Sequence, residues 1–292
     1  MCTVTWFREA GGYQLLFNRD ERRTRRPARP PEVRAGGARP YISPLDGDFA
    51  GSWISSNCAG LTLGLLNGYM PADDGPPDRE EGWVSRGLLL IALAGLGSVA
   101  AVAAHLRTRE LRAYRSFWLL GLDPVDGCLA RWEDGRLELD DSADPTMPLV
   151  SSAFDTDIVR HSRKRTFRAL GSRSDDDRFE THFAYHACHV PERGPMSPCM
   201  HRPDARTVSL TCVRVDPHEV QMSYAPHPPC QGRPAGEPVR LPRASRNWNR
   251  ERARSRAGRI SRQVVHQPLT MVSTNSCGRR SLRISLASVS WS

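Results

Sequence analysis

The chain has 292 residues, 39% hydrophobic and 25% charged, with 23 Gly and 23 Pro, enough to bury a core in one large domain or two small ones, and it excludes collagen, coiled coil and a wholly disordered chain. The net charge of +9 belongs to one end: residues 243–292 hold 11 Arg and one acid, Glu251, which leaves 30 basic against 31 acidic side chains elsewhere. A nucleic-acid-binding domain carries its own basic face, so no specific nucleic-acid partner is expected; Arg outnumbers Lys 40 to 1, a bias of composition.

Residues 1–7 read as a strand, Glu9–Gly12 as a turn and Tyr13–Phe17 as the returning strand. Residues 22–48, rich in Arg, Pro and Gly, read as a loop. Ser52–Ser55 and Leu61–Leu66 form a short hairpin around Asn57-Cys58-Ala59-Gly60, and residues 71–81 are a polar loop. Gly87–Ala104 is uncharged for 18 residues, the short limit for a membrane span, but Gly95, Gly97 and Ser98 interrupt it. Two buried helices at about 84–94 and 98–112 are expected instead, Ser98 capping the second, and no transmembrane segment.

Phe117–Leu122, Cys128–Trp132 and Arg136–Leu139 read as strands, and Asp155–Leu170 as a helix capped by Asp155 or Thr156. Residues 173–178 form a charged loop. Thr207–Val215 alternates, turns at Asp216-Pro217-His218-Glu219 and returns as Val220–Tyr224. Past Pro242 the periodicity fades into Ser and Arg. The division expected is a folded domain over 1–242 and a disordered tail over 243–292. Hairpins dominate, so the sheets are antiparallel and the class is α+β.

Eight cysteines stand at scattered spacings without a CxxC pair. No basic region followed by an apolar run opens the chain. Reduced thiols in a cytoplasm are the expectation. Cys2 is the sharpest chemical feature. Removal of the initiator Met would leave a thiol nucleophile and an α-amine base of pKa about 7.7–8.0 on one residue. The plainer alternative is a small apolar residue opening a strand. Asn18-Arg19-Asp20-Glu21 follows the second strand, and antiparallel pairing would bring Arg19 and Asp20 to Cys2, where an Arg lowers a thiol pKa and an Asp orients an ammonium. A solvated turn with a local ion pair is the competing interpretation.

The Met-Cys start, then Gly12-Tyr13-Gln14-Leu15-Leu16-Phe17-Asn18-Arg19-Asp20-Glu21 with Pro27 and Pro30, resembles the NRDE family, also called the transport and Golgi organisation protein 2 family. Gly51-Ser52-Trp53, Gly60, Leu65-Leu66-Asn67, Ser85-Arg86-Gly87 and Arg202 with Thr207-Val208-Ser209 continue the likeness in order over residues 1–230. Ser52 and His201 depart from its usual residues. The resemblance implies an N-terminal-nucleophile hydrolase fold, a four-layer αββα sandwich of two antiparallel sheets. It further implies Cys2 as nucleophile and base, Arg19 and Asp20 as setters of its ionisation, Asn67 as oxyanion donor and Arg202 as a late arginine closing the site. Asn18, Trp53 and His201 would contact substrate. The function implied is hydrolysis of a small amide or thioester. The alternative is a carrier of haem, an acyl chain or another lipid, without chemistry.

His182, His186, Cys188, His189, Cys199 and His201 fall within twenty residues. His182 and His186 have the spacing of two ligands on one helical face, but Phe183, Tyr185, Pro191, Pro195 and Pro198 favour a short strand and loops. No matching ligand pair stands elsewhere, so no metal and no cofactor is assigned, with axial haem ligation as the other possibility for these imidazoles. Trp53, Trp83, Trp118 and Trp132 read as core or pocket lining, and Asp123–Gly127 and Asp140-Asp141 as turns.

Overall fold

A computed structural model describes residues 2–35, 37–68, 83–141, 146–153, 155–171 and 177–244. Met1, the 71–81 loop, most of the 173–178 loop and nearly all of the 243–292 tail lie outside the described residues. The first sheet has six strands in the order β10-β1-β2-β11-β12-β13. They are β1 (Cys2–Glu9), β2 (Gly12–Arg22), β10 (Leu149–Ser151), β11 (Ala205–Val215), β12 (Glu219–Ala225) and β13 (Val239–Pro242). The second is a seven-stranded meander in chain order: β3 (Arg29–Arg34), β4 (Tyr41–Leu45), β5 (Ile54–Asn57), β6 (Thr62–Asn67), β7 (Phe117–Leu122), β8 (Gly127–Glu133) and β9 (Arg136–Asp140). Every pairing is antiparallel.

The alternation of side chains along each strand builds the layers. Val4, Trp6, Tyr13, Leu15, Phe17 and Val213 of the first sheet meet Ile42, Ile54, Leu66, Leu120 and Leu129 of the second in one buried cluster. The second sheet's other face, with Leu61, Leu63, Leu119 and Ala130, packs under α1 (Arg86–Leu93) and α2 (Val99–Thr108). Phe7, Leu16 and Leu210, on the first sheet's other face, pack against Phe179 and Phe183 of α4 (Arg178–Ala187), beside α3 (Thr156–Gly171). The chain is a four-layer αββα sandwich of the α+β class. Tyr13 staples the two sheets: its hydroxyl donates towards the Gly60 and Leu122 carbonyls, at 2.9 and 3.0 Å, and lies 2.6 Å from Thr62 Oγ1.

Several elements depart from the sequence expectation. β2 runs on through Asn18–Arg22, because β11 pairs alongside it as far as Arg22 and satisfies its backbone. Within the expected 22–48 loop lie β3 and β4; β3 is the sheet's edge, where Pro30 and Pro31 cost no interior ladder bonds. The stretch around His182–His186 is helix α4, begun by the Asp177 side chain, which accepts from the Glu180 N–H. β10 and β13 are edge strands of three and four residues. Ser98 does cap α2, accepting from the Ala101 N–H, and Asp123 Oδ2 takes the Val99 N–H at 2.9 Å. Among the described residues no helix is long and apolar enough to cross a membrane.

Candidate functional site

Cys2 opens β1 and faces inward. Its Cα partners are Arg19 on β2 and Ser151 on β10, and directly paired residues of an antiparallel ladder share a face. Cys2, Arg19 and Ser151 therefore stand together at one end of the space between the sheets. Cys2 is 8% exposed. Burial pushes its pKa up to about 11 and the Asp20 carboxylate adds to the rise, although the Asp20 backbone N–H and the Arg19 charge pull the other way.

Arg19 lies with its guanidinium 4.2 Å from the centre of the Trp53 ring. Carboxylates flank it: it pairs with Asp46, and with Glu21 at 3.2 Å. Arg25 reaches the same Asp46 oxygen at 3.0 Å. Burial alone would raise the Asp46 carboxyl, yet Arg19, Arg25 and the N–H groups of Asp48 and Phe49 outweigh it and hold it below the usual carboxylate range. The Trp53 Nε1, the Ser151 Oγ and the Thr211 Oγ1 are buried with no hydrogen-bond partner among the described residues. Unsatisfied polar groups at one end of an apolar layer cost about 1–3 kcal/mol each, a cost that a polar ligand would relieve.

Asp20 sits one residue on and so points to the other face. It accepts from Thr207 Oγ1 at 2.6 Å and pairs with Arg163 of α3 at 3.3 Å, both side chains of the ion pair being wholly buried. Arg163 also donates to Thr3 Oγ1 at 2.6 Å and to the Pro195 carbonyl at 3.2 Å. Asn18, on that same face, donates to the carbonyls of His186 and Pro198 at 2.9 and 3.0 Å. Strand alternation thus divides the Asn-Arg-Asp sequence: Arg19 belongs to the Cys2 side, while Asn18 and Asp20 fix the sheet to its helices.

Asn67 ends β6 and lines an open cleft of about 800 Å³ together with Trp118, Arg131, Ser151, Arg160 and Lys164. Cys2 does not line that cleft; its strand partner Ser151 does. Arg202 lies just before β11, where the chain runs beside Arg22 and Arg23, and both its Nε and its Nη2 engage Asp204, at 3.0 and 2.8 Å. His201 stands apart with Cys199 and Cys230, its Nε2 3.5 Å from each sulfur.

His182 and His186 do share one face of α4, but their partner is Thr5: its Oγ1 is 2.8 Å from His182 Nδ1 and 2.9 Å from His186 Nε2. Burial lowers the pKa of His182 to about 4 and that of His186 well below its ordinary value, with nearby positive charge adding to both. Both rings are neutral at pH 7. Sequence reasoning passed over Thr3, Thr5, Asp46 and Arg163. Arg163 is one cation among Arg160, Lys164, Arg165 and Arg168 on a surface helix, and only the side it presents to Thr3 distinguishes it.

No family model matches the chain, and no curated protein matches it. Similar solved structures include penicillin V acylase from Agrobacterium tumefaciens, at 12% identity and a TM-score of 0.44, over 78% of this chain and 84% of that one. A Cys-to-Ala mutant of conjugated bile acid hydrolase from Clostridium perfringens gives 11% identity and 0.49, over 84% and 97%. An N-acylethanolamine-hydrolyzing acid amidase orthologue from Caenorhabditis elegans gives 15% and 0.45, over 73% and 92%. At this distance no side-chain role passes from those proteins to this chain.

Proposed function

We propose that this chain is an NRDE-family cysteine N-terminal-nucleophile hydrolase acting on a small amide or thioester in the cytoplasm. The observation that carries it is the pairing of Cys2 with Arg19 and Ser151 at the end of the inter-sheet layer, beside buried polar groups that lack partners among the described residues. After removal of Met1, the Cys2 α-amine takes the thiol proton as sulfur attacks the carbonyl carbon. The ammonium then protonates the leaving amine or thiol as the C–N or C–S bond breaks, leaving an acyl thioester on Cys2. Water, deprotonated by the same amine, releases the acid and restores the thiol. Against burial and the Asp20 carboxylate, the Arg19 charge and the Asp20 backbone N–H favour the thiolate, and Asn67, which lines the same cleft as Ser151, donates to the oxyanion. Arg202, held by Asp204, and His201, beside two cysteines, take no part in this scheme. Asp20 contributes by position, holding β2 through Arg163 and Thr207.

Intact mass should show Met1 absent, and a panel of amides and thioesters should reveal turnover that Cys2→Ala abolishes while the fold survives. Unchanged turnover in Cys2→Ala, or retention of Met1, overturns the hydrolase. Binding of haem or an acyl chain that persists in Cys2→Ala, without turnover by the native protein, would establish the carrier instead.

A further inference from the structure

Four side chains from two separate segments converge away from the Cys2 site. His189, Cys199 and His201 come from the irregular stretch between α4 and β11, and Cys230 from a 3-10 turn over Pro229–Gln231. Their donor atoms all lie within 4.8 Å of one another. His201 Nε2 is 3.5 Å from Cys199 Sγ and 3.5 Å from Cys230 Sγ. A tetrahedral zinc, with bonds of about 2.3 Å to sulfur and about 2.0–2.1 Å to nitrogen, has N···S edges of about 3.5 Å. Two edges of that tetrahedron already have this length. A second observation is independent: His189 Nε2 is buried with no hydrogen-bond partner among the described residues, while its ring lies 5.0 Å from that of His201.

We propose that His189, Cys199, His201 and Cys230 bind one zinc ion in a closed, structural site. Two thiolates and two neutral imidazoles form a soft S₂N₂ donor set of the kind zinc takes, and two thiolates balance its charge. Binding releases the two thiol protons. Four protein ligands leave no open position for a substrate, so the ion does no chemistry there. With Nε2 on the metal, His201 carries its proton on Nδ1; the exposed Arg193, 3.4 Å from that atom, turns outward to solvent.

The site has a structural task. The stretch from Cys188 to His201 has few backbone hydrogen bonds of its own: the Cys199 N–H donates to the Cys188 carbonyl and the His201 N–H to the Gly194 carbonyl. Yet it supplies the Pro195 carbonyl to Arg163 and the Pro198 carbonyl to Asn18. Zinc pins this stretch to the turn at Cys230, and through Arg163 and Asn18 it steadies the β1–β2 pair on which Cys2 and Arg19 stand.

The test uses the full chain, purified with reductant and without a metal-affinity step. Elemental analysis should find about one zinc per chain. After chelation, Co²⁺ alone should bind with equal stoichiometry and give the thiolate charge-transfer and intense visible bands of a tetrahedral site. Cys199→Ser and Cys230→Ser should each weaken cobalt binding about tenfold or more, while Cys188→Ser, one residue from the cluster, binds as the parent does. Alkylation of the unmutated protein reads the site even if a variant fails to fold: exposed Cys230 should be slow to react with zinc present and fast after chelation. Substoichiometric metal with an unchanged Cys230 alkylation rate overturns the proposal. So does a Cys199–Cys230 disulfide in the protein as purified, or a cobalt spectrum that survives loss of both cysteines.

Discussion

Arg163 and Asp20 meet with no solvent on either side chain, and the pair matters most through the charge left behind when one partner is removed. A buried ion pair gains little over an apolar pair, but stranding one of its charges costs about 3–5 kcal/mol. Arg163→Met should therefore lower the urea midpoint by a stability of that size. Asp20→Asn, which keeps an oxygen for Thr207 Oγ1, should cost less, and the double variant less than the sum, since it strands neither charge. Additive losses would show that the two groups act independently. Cys2 offers a chemical counterpart. Its thiol, raised to about 11 by burial, stays protonated near neutrality, so direct alkylation should be slow at pH 7 and rise steeply with pH. An α-amine acting as base would instead bring the rise near pH 8. Comparing alkylation profiles of processed and Met1-bearing protein distinguishes these. The sequence motif put Asn18, Arg19 and Asp20 side by side without showing that a strand runs through them. Once it does, the period of two sends Arg19 to Cys2 and Asp20 to the helices.

At the next scale, two stretches quoted separately in the sequence prove to touch. Gly51, just before β5, and Gly87, in the first turn of α1, lie backbone against backbone, and the Ser52 N–H donates to the Gly87 carbonyl at 3.2 Å. A Cβ on Gly51 would come within 2.7 Å of the Gly87 carbonyl carbon, and one on Gly87 within 2.9 Å of the Ser52 nitrogen. Neither contact can be relieved by a side-chain rotation. Gly51→Ala should lift α1 from the sheet and cost about 1–3 kcal/mol, the range for overpacking a tight contact, read as a lower melting temperature; an unchanged one would mean that α1 shifts freely. Neither short motif carries this in one dimension, because the contact spans more than thirty residues. The hairpins were legible for the opposite reason: local turns set their register. β3 and β4 were hidden by the Arg, Pro and Gly between them, which an edge strand tolerates. In α4, Phe183 and Tyr185 alternate as strand residues do, but Asp177 as cap and the burial of His182, Tyr185 and His186 on one side settle it as helix. The same helix explains how one run of His and Cys divides. His182 and His186 turn to Thr5, while His189, Cys199 and His201 meet a cysteine 29 residues further along the chain from His201, a pairing no spacing rule displays.

For the whole molecule, the seam between the first sheet and its helices sets the response to acid. Thr5 Oγ1 serves both imidazoles, and around them stand Arg163 and Arg178. The unfolded chain takes a proton on each ring as pH falls below about 6.5. The folded chain refuses one on His182 until about pH 4, and burial holds His186 well below its ordinary value too. Above pH 6.5 neither state is protonated there and these rings make stability independent of pH. Below it the unfolded state holds more protons, so stability falls by up to about 1.4 kcal/mol per pH unit for each ring. Asp46, held below the usual carboxylate range by Arg19 and Arg25, adds its own loss only at lower pH, as its carboxylate becomes protonated. Urea midpoints between about pH 7.5 and 4.5 should therefore decline from about pH 6.5, with His201 and His189, also held below their ordinary range, adding to the slope, and His182→Gln should lessen that slope by about one proton. A flat profile over that range would mean that the seam opens to water and lets the imidazolium form in the folded state. The αββα layers would then be less tightly joined on this side than the Tyr13 staple joins the two sheets.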